Sequence, residues 1–429
     1  MSRSALTALF VLFPAVAPAR QVPDTATMRR AIGEYQTACA RDGGALWGKT
    51  LCGPLLLIDR ATRMSVASES PPDTGFRAMG AVFIGPAPGN VPFANTASLW
   101  HGRWWAFALT PLPTTSVART HLLIHEAFHR IQGELGLSGI DALNNHLNER
   151  DGRYWYILEL RAAAAALRLT PETAHQAVQD ALLFRTYRHT LFPGADTLER
   201  ALELQEGLAE YTGQRLAFAA AADAERYAAE QLTAFESRAT FVRSAGYGSG
   251  PALGLLLDRY APGWRGLVNQ KGLAPQLAEA VGFVPPSDLA SRARERVEVY
   301  GGRELAAAED ARELARQKTL TAYRSRLVEG PVLVLRQEGL MRSFNPNTLI
   351  PLPEGGTIYP TGTFSAEWGT IEVKTGALVA ANFQTLTLPA PADTTPPSLQ
   401  GPDWVLRLSA GWVLVPGPRR GDFTVVRKP

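Results

Sequence analysis

Apolar and polar positions alternate along this chain with three successive rhythms. Over residues 25–40, Met28, Ala31, Ile32 and Tyr35 share one helical face, and the spacing predicts a first helix. Runs of β-forming residues at 55–59, 81–85 and 103–110 then read as strands. The last of these, Arg103-Trp104-Trp105-Ala106-Phe107-Ala108-Leu109, stops at Pro111 and Pro113 and leads into a second helical pattern. There Thr114, Thr115 and Ser116 offer N-caps, and Ile124, Ala127, Phe128, Ile131 and Leu135 form the expected buried stripe.

From Asn145 to about Leu327 the period is helical almost throughout. The pattern predicts helices over 154–167, from Pro171 behind Thr170, from Asp196 through Leu204, Leu208 and Tyr211, and over 301–326. Near Glu329-Gly330-Pro331 it changes to short β-forming runs between Gly and Pro, at 332–335, 357–359, 370–373, 404–408 and 412–415. The expected class is α+β. Residues 20–113 form an α/β part with a small sheet, 114–328 a helical part, and 329–429 a β-rich C-terminal domain.

Composition narrows the function classes. An apolar share of 46% over 429 residues is that of a globular chain with room for more than one core. The net charge of +3 is small and the basic residues are scattered, which excludes a nucleic-acid surface from the expectations. Residues 1–19 read as a secretory signal peptide: basic Met1-Ser2-Arg3, an apolar stretch over 5–16, and Ala17-Pro18-Ala19 as a cleavage site. That stretch is shorter than the ~20 residues a spanning helix needs, so export to a periplasmic or extracellular space is expected, without stable membrane insertion. In that setting Cys39 and Cys52 are expected to form a disulfide, stabilising the mature N-terminus by about 3 kcal/mol.

The chemistry concentrates in His125-Glu126-Ala127-Phe128-His129, an H-E-x-x-H pattern inside a predicted helix. Residues four apart share a helix face, so both imidazoles can reach one Zn2+ ion, and Glu126 falls where a general base for a metal-activated water is needed. His121 continues the spacing of four. It stands about 12 Å along the axis from His129 at ~1.5 Å rise per residue, too far for both to bind one ion, and is expected beside or outside the site. A third ligand must come from elsewhere, with Glu206, Glu159 and Glu203 as candidates.

The motif together with Glu206-Gly207-Leu208-Ala209-Glu210-Tyr211 resembles the gluzincin branch of the zincin metallopeptidases. The resemblance covers about residues 103–260. It implies a zincin-like, mostly helical peptidase domain, with Glu206 from a later helix as third ligand and Glu210, one turn on, hydrogen-bonded to a ligating histidine. Glu206 is favoured over Glu159, whose i+4 position is Ala163 and which Arg161 or Arg153 could pair, and over Glu203, which has Gly207 one turn on. The gap from His129 to Glu206 is longer than in thermolysin-like or aminopeptidase-like members and must hold inserted helices. No match to the exopeptidase amino-terminus motif is found. By the same resemblance, Tyr247 in Gly246-Tyr247-Gly248-Ser249-Gly250-Pro251 is a candidate oxyanion donor, projected by a glycine-rich turn.

The expectation is an exported zinc metallopeptidase acting on a peptide or protein substrate, with strand 103–109 as the cleft wall that pairs with an extended backbone. The alternative is an exported binding or scaffold protein with a vestigial or structural zinc site and a β-rich recognition domain. An intact Glu126 argues against the alternative, because a structural site needs no base.

Overall fold

The computed structural model describes residues 24–428 apart from 138, 141, 337–340, 345–347, 353–354 and 396–397. The expected leader, 1–19, lies outside the described residues. Helices dominate before Glu329 and strands after it, so the class is mixed α+β. Two compact units are present: one takes the chain up to Gly136 together with Thr212–Ala224, the other Leu137–Tyr211 and Glu225 onward.

In the first unit, helix α1 (Thr25–Asp42) starts where the Asp24 carboxylate accepts the Thr27 N–H at 2.9 Å. It ends at Gly43, whose φ of 58° a residue without Cβ adopts freely. Met28, Ala31, Ile32 and Tyr35 are all fully buried, the face the pattern predicts. A disulfide joins Cys39 to Cys52, with Cα atoms 5.2 Å apart.

Six strands follow: β1 (Leu55–Ile58), β2 (Met64–Ala67), β3 (Arg77–Met79), β4 (Val82–Pro86), β5 (Thr96–Trp100) and β6 (Arg103–Leu109). They make one sheet in the order β3-β4-β2-β1-β6-β5, in which β1 and β6 run parallel. All four residues of β1 are buried, as befits an interior strand covered on both faces. Leu56, Ile58, Trp105, Phe107 and Leu109 form a core on one face with Val91 and Trp100. Period-two alternation turns Leu55, Leu57, Ala106 and Ala108 to the other face, against which α1 and the next helix, α2 (Ser116–Gln132), pack.

The sheet corrects two expectations. Strand β6 is paired on both sides, by β1 and β5, so it has no free edge to offer a substrate; β5 ends the sheet instead. The stripe of α2 ends at Ile131, because Leu135 falls in a 3₁₀ turn (Gly133–Leu135) and is only half-buried.

The second unit opens with α3 (Arg150–Arg168), α4 (Pro171–Leu191) and α5 (Ala195–Leu202), which lie in the long stretch between His129 and Glu206. The single helix predicted from Asp196 through Tyr211 is interrupted. A π-helical turn, Glu203–Gly207, separates α5 from α6 (Leu208–Leu216), and the division between the units falls within α6. Helices α7 (Ala221–Phe235) and α8 (Ala245–Tyr260) come next, then shorter ones and the long helix Gly302–Arg324.

Beyond Glu329 two sheets face each other across one core. The larger runs, in order, through Trp412–Pro416, Phe423–Arg427, Val332–Arg336, Thr385–Pro389, Ala377–Val379, Thr357–Tyr359 and Ile350–Pro351. The smaller runs through Ser398–Gly401, Trp404–Leu408, Gly369–Val373, Gly362–Ala366 and Met341–Phe344. Leu333, Leu335, Leu386 and Leu388 of the first meet Phe364, Ile371, Trp404 and Leu406 of the second, which is the layering of a β-sandwich.

Candidate metal centre

Helix α2 is set by its own sequence. Thr115 caps it, accepting the Ala118 N–H at 3.2 Å. Arg119 then ties its first turns down, donating to both Glu34 carboxylate oxygens at 2.8 and 2.7 Å and to the carbonyls of Pro113 and Thr114. The hydrogen bonds from Arg119 hold the Glu34 carboxyl below its ordinary range. Further along, Leu123, Ile124, Ala127 and Phe128 are fully buried, and Phe128 lies 5.1 Å from the Trp47 ring. This fixes the rotation of the helix and therefore the direction of its histidines.

His125 and Glu126 are buried and His129 is half-buried. The Nε2 atoms of His125 and His129 are 3.1 Å apart. Gln132 Oε1 lies 2.8 Å from His129 Nδ1 and accepts its N–H, which leaves the His129 Nε2 lone pair toward His125. Gln132 is thus an acceptor that orients this imidazole, and the sequence reading did not name it. It stands three residues beyond His129, and the i,i+3 spacing on a helix is the signal that finds it. His121, half-buried on the same helix, packs closely on Gly213, where an added Cβ would come 2.5 Å from its ring.

In the second unit Glu206 is the fourth residue of the π turn and is half-buried. The Leu208 N–H reaches the Glu203 carbonyl, the i to i−5 bond that widens the turn by one residue. Helix α8 presses onto this turn along a glycine seam: a Cβ on Gly250 would lie 2.3 Å from the Gly207 Cα, and one on Gly246 2.6 Å from the Leu202 carbonyl oxygen. Such an approach is open only to residues without side chains. Tyr247, expected in a turn, lies in the first turn of α8, and its hydroxyl donates to Glu206 at 2.5 Å. Two residues on, Ser249 donates to Glu203 at 2.6 Å. Glu210 is half-buried on α6, and its charge helps raise the Tyr227 hydroxyl after burial, the larger cause.

The rival ligands are occupied. Glu159 is buried between Arg185 at 2.9 Å and Arg188 at 2.6 Å, rather than paired with Arg161 or Arg153. Glu203 is buried with Arg185 at 2.8 Å, and burial pushes its carboxyl up despite that partner. Glu199 completes the cluster. Burial works upward on it too, but Arg188, His146, His189 and Arg185 outweigh that and hold it well below the carboxylate range. The sequence reading missed this network, because its members come from α3, α4, α5 and the π turn, with no spacing in common.

Among the described residues, one group offers metal-type donors close together. His125, His129 and Glu206 each present a ligand atom, and these atoms lie within 4.8 Å of one another. Two imidazole nitrogens and a carboxylate oxygen are a donor set that suits zinc. Tetrahedral bonds of ~2.0–2.1 Å place ligand atoms about 3.3 Å apart, close to the spacing of the histidine pair. The residues present therefore fit the ion.

No protein-family model, curated protein or solved structure matches this chain.

Proposed function

We propose that this protein is an exported zinc-dependent peptidase of gluzincin type, with a zincin-like peptidase part and His125, His129 and Glu206 as the ligands of one zinc ion. The observation that carries the reading is the convergence of those three donors, chosen from sequence before any geometry, within 4.8 Å of one another. Zinc held there supplies Lewis acidity toward a peptide carbonyl and toward water. Glu126, buried next to His125 on α2, takes the proton from the attacking water and passes it to the leaving amine. Gln132 fixes the His129 tautomer, and Glu210, four residues beyond Glu206, is the proposed acceptor for a ligating histidine. The Tyr247 hydroxyl donates to Glu206 and so orients that ligand, and its role as oxyanion donor requires it to turn from Glu206 to the substrate. Strand β5, at the end of its sheet, is where an extended peptide backbone can add.

The test is a pair of variants assayed for bound zinc and for cleavage of casein and a mixed peptide library. Glu126→Gln should keep stoichiometric zinc and lose turnover by roughly 10²- to 10⁴-fold. Glu206→Ala should lose both. Undiminished cleavage by the Glu126 variant overturns the mechanism, and zinc without cleavage of any peptide by the unaltered protein favours a scaffold.

A further inference from the structure

The glutamate proposed as third ligand sits on a π turn, and α8 holds that backbone by a matched pair of hydroxyls. We infer that Ser249, Glu203 and Arg185 are positioning residues for Glu206: they lock the π turn in the one register that aims Glu206 at the metal. The inference rests on the zinc reading above.

An uninterrupted α-helix from α5 into α6 is the default, and a single π turn persists only where its surroundings fix it. Here the first and fourth residues of the turn carry carboxylates, and each is taken by a hydroxyl two residues apart on α8, Ser249 on Glu203 at 2.6 Å and Tyr247 on Glu206 at 2.5 Å. Were the turn to relax to α-helical winding, the residues after Glu203 would rotate by about 100° and the two pairings could not both survive. The glycine seam of Gly207, Gly246 and Gly250 brings α8 close enough for both hydroxyls to reach.

Behind Glu203 stands a network of buried ion pairs. Only 2% exposed, Glu203 is fixed by Arg185, which also holds Glu159; Arg188 joins Glu159 to Glu199; and Glu199 meets His146 and His189. Buried ion pairs rarely stabilise a fold better than apolar packing of the same volume would. Placing this many charges behind one turn makes sense if they set geometry, and the geometry they set is that of the residues between Glu203 and Gly207. Glu203 is turned into this cluster and saturated there, so it serves Glu206 without replacing it.

A double-variant cycle tests the assignment, with zinc affinity of the full chain measured by competition against a chromophoric chelator. Ser249→Ala should weaken zinc by about tenfold, the lower range for groups that orient a ligand, with little change in melting temperature. Glu203→Gln, which keeps the shape but not the charge facing Arg185, should weaken zinc by a similar factor and also lower the melting temperature, because a buried charge loses its partner. In a Glu206→Ala background neither change should weaken zinc further, because both act through that carboxylate. Equal weakening in the two backgrounds, or none in either, overturns the positioning role while leaving Glu206 as ligand. If Glu206→Ala by itself leaves zinc affinity unchanged, the ligand assignment fails and the positioning role with it.

Discussion

Helix α2 delivers two histidines by regular winding. The π turn between α5 and α6 delivers one glutamate by departing from it. In α2 a side-chain cap, an apolar stripe and a spacing of four set the directions of the histidines, and Gln132, a polar partner of His129, comes from the same helix. Around Glu206 the placement depends on α8, on a seam of three glycines and on charges from α3, α4 and α5. Local geometry is robust because each residue's direction follows from its neighbours in sequence. A non-local placement is specific, but it fails when any one of several distant contacts is lost.

The largest effects should fall on the donors themselves. His129→Ala should reduce zinc affinity by more than the ~100-fold that bounds the loss of an orienting partner, and Gln132→Ala by about 10- to 100-fold. Isothermal titration with zinc reads both. If Gln132→Ala matches the unaltered protein, His129 keeps its orientation without that acceptor, and the contrast with the π turn sharpens.

How much could be read in advance follows the same line. The face of α1, the cap of α2, the strands at 55–58 and 103–109, the helical run after Asn145 and the change to sheet at Pro331 are all local, and each was legible as a period or a punctuation mark. Strands β2, β3 and β5 were missed: β3 has two exposed residues of three, and β5 is half-exposed along most of its length, so neither carries a clean alternation. The edge position of β5 could not be read, because strand order is a long-range property. The histidine pair was legible as residue types at a spacing, and Glu206 through the resemblance that its motif carries. The π turn was not, since nothing in Glu203-Leu204-Gln205-Glu206-Gly207 differs from an ordinary helical segment; what widens it lies on other helices. Glycines at 207, 246 and 250 were visible as letters but not as a seam.

A smaller effect is expected from filling that seam. Gly250→Ala places a Cβ 2.3 Å from the Gly207 Cα, backbone that cannot swing aside, and should cost roughly 1–3 kcal/mol in denaturant melts. Zinc affinity should fall with it, as α8 is pushed off the turn. Gly33→Ala on α1, exposed and with nothing within 4 Å of the added carbon, is the control and should stabilise by about 0.5–1 kcal/mol without touching zinc. A Gly250 variant that melts normally would mean that the two backbones can part without consequence.

The smallest effect concerns the anchor of α2. Glu34 and Arg119 join α1 to the first turns of α2 by paired hydrogen bonds, and those bonds lower the Glu34 carboxyl in the folded chain below the value of about 4.3 it takes when unfolded. A depressed folded value means stability that is present above the unfolded value and is lost as pH falls through the folded one. Glu34→Gln should therefore cost about 1 kcal/mol at pH 7, with the difference from the unaltered protein closing below about pH 4 as the carboxyl protonates. Melting temperatures of the two proteins between pH 7 and pH 3 measure this, and a gap that stays constant across that range contradicts it. Zinc affinity at pH 7 should not change, because α2 keeps its winding, its Thr115 cap and its buried stripe, and so its two histidines keep their spacing. The same size of disturbance placed at Ser249 should be felt at the metal, since the carboxylate there has no regular helix to fall back on.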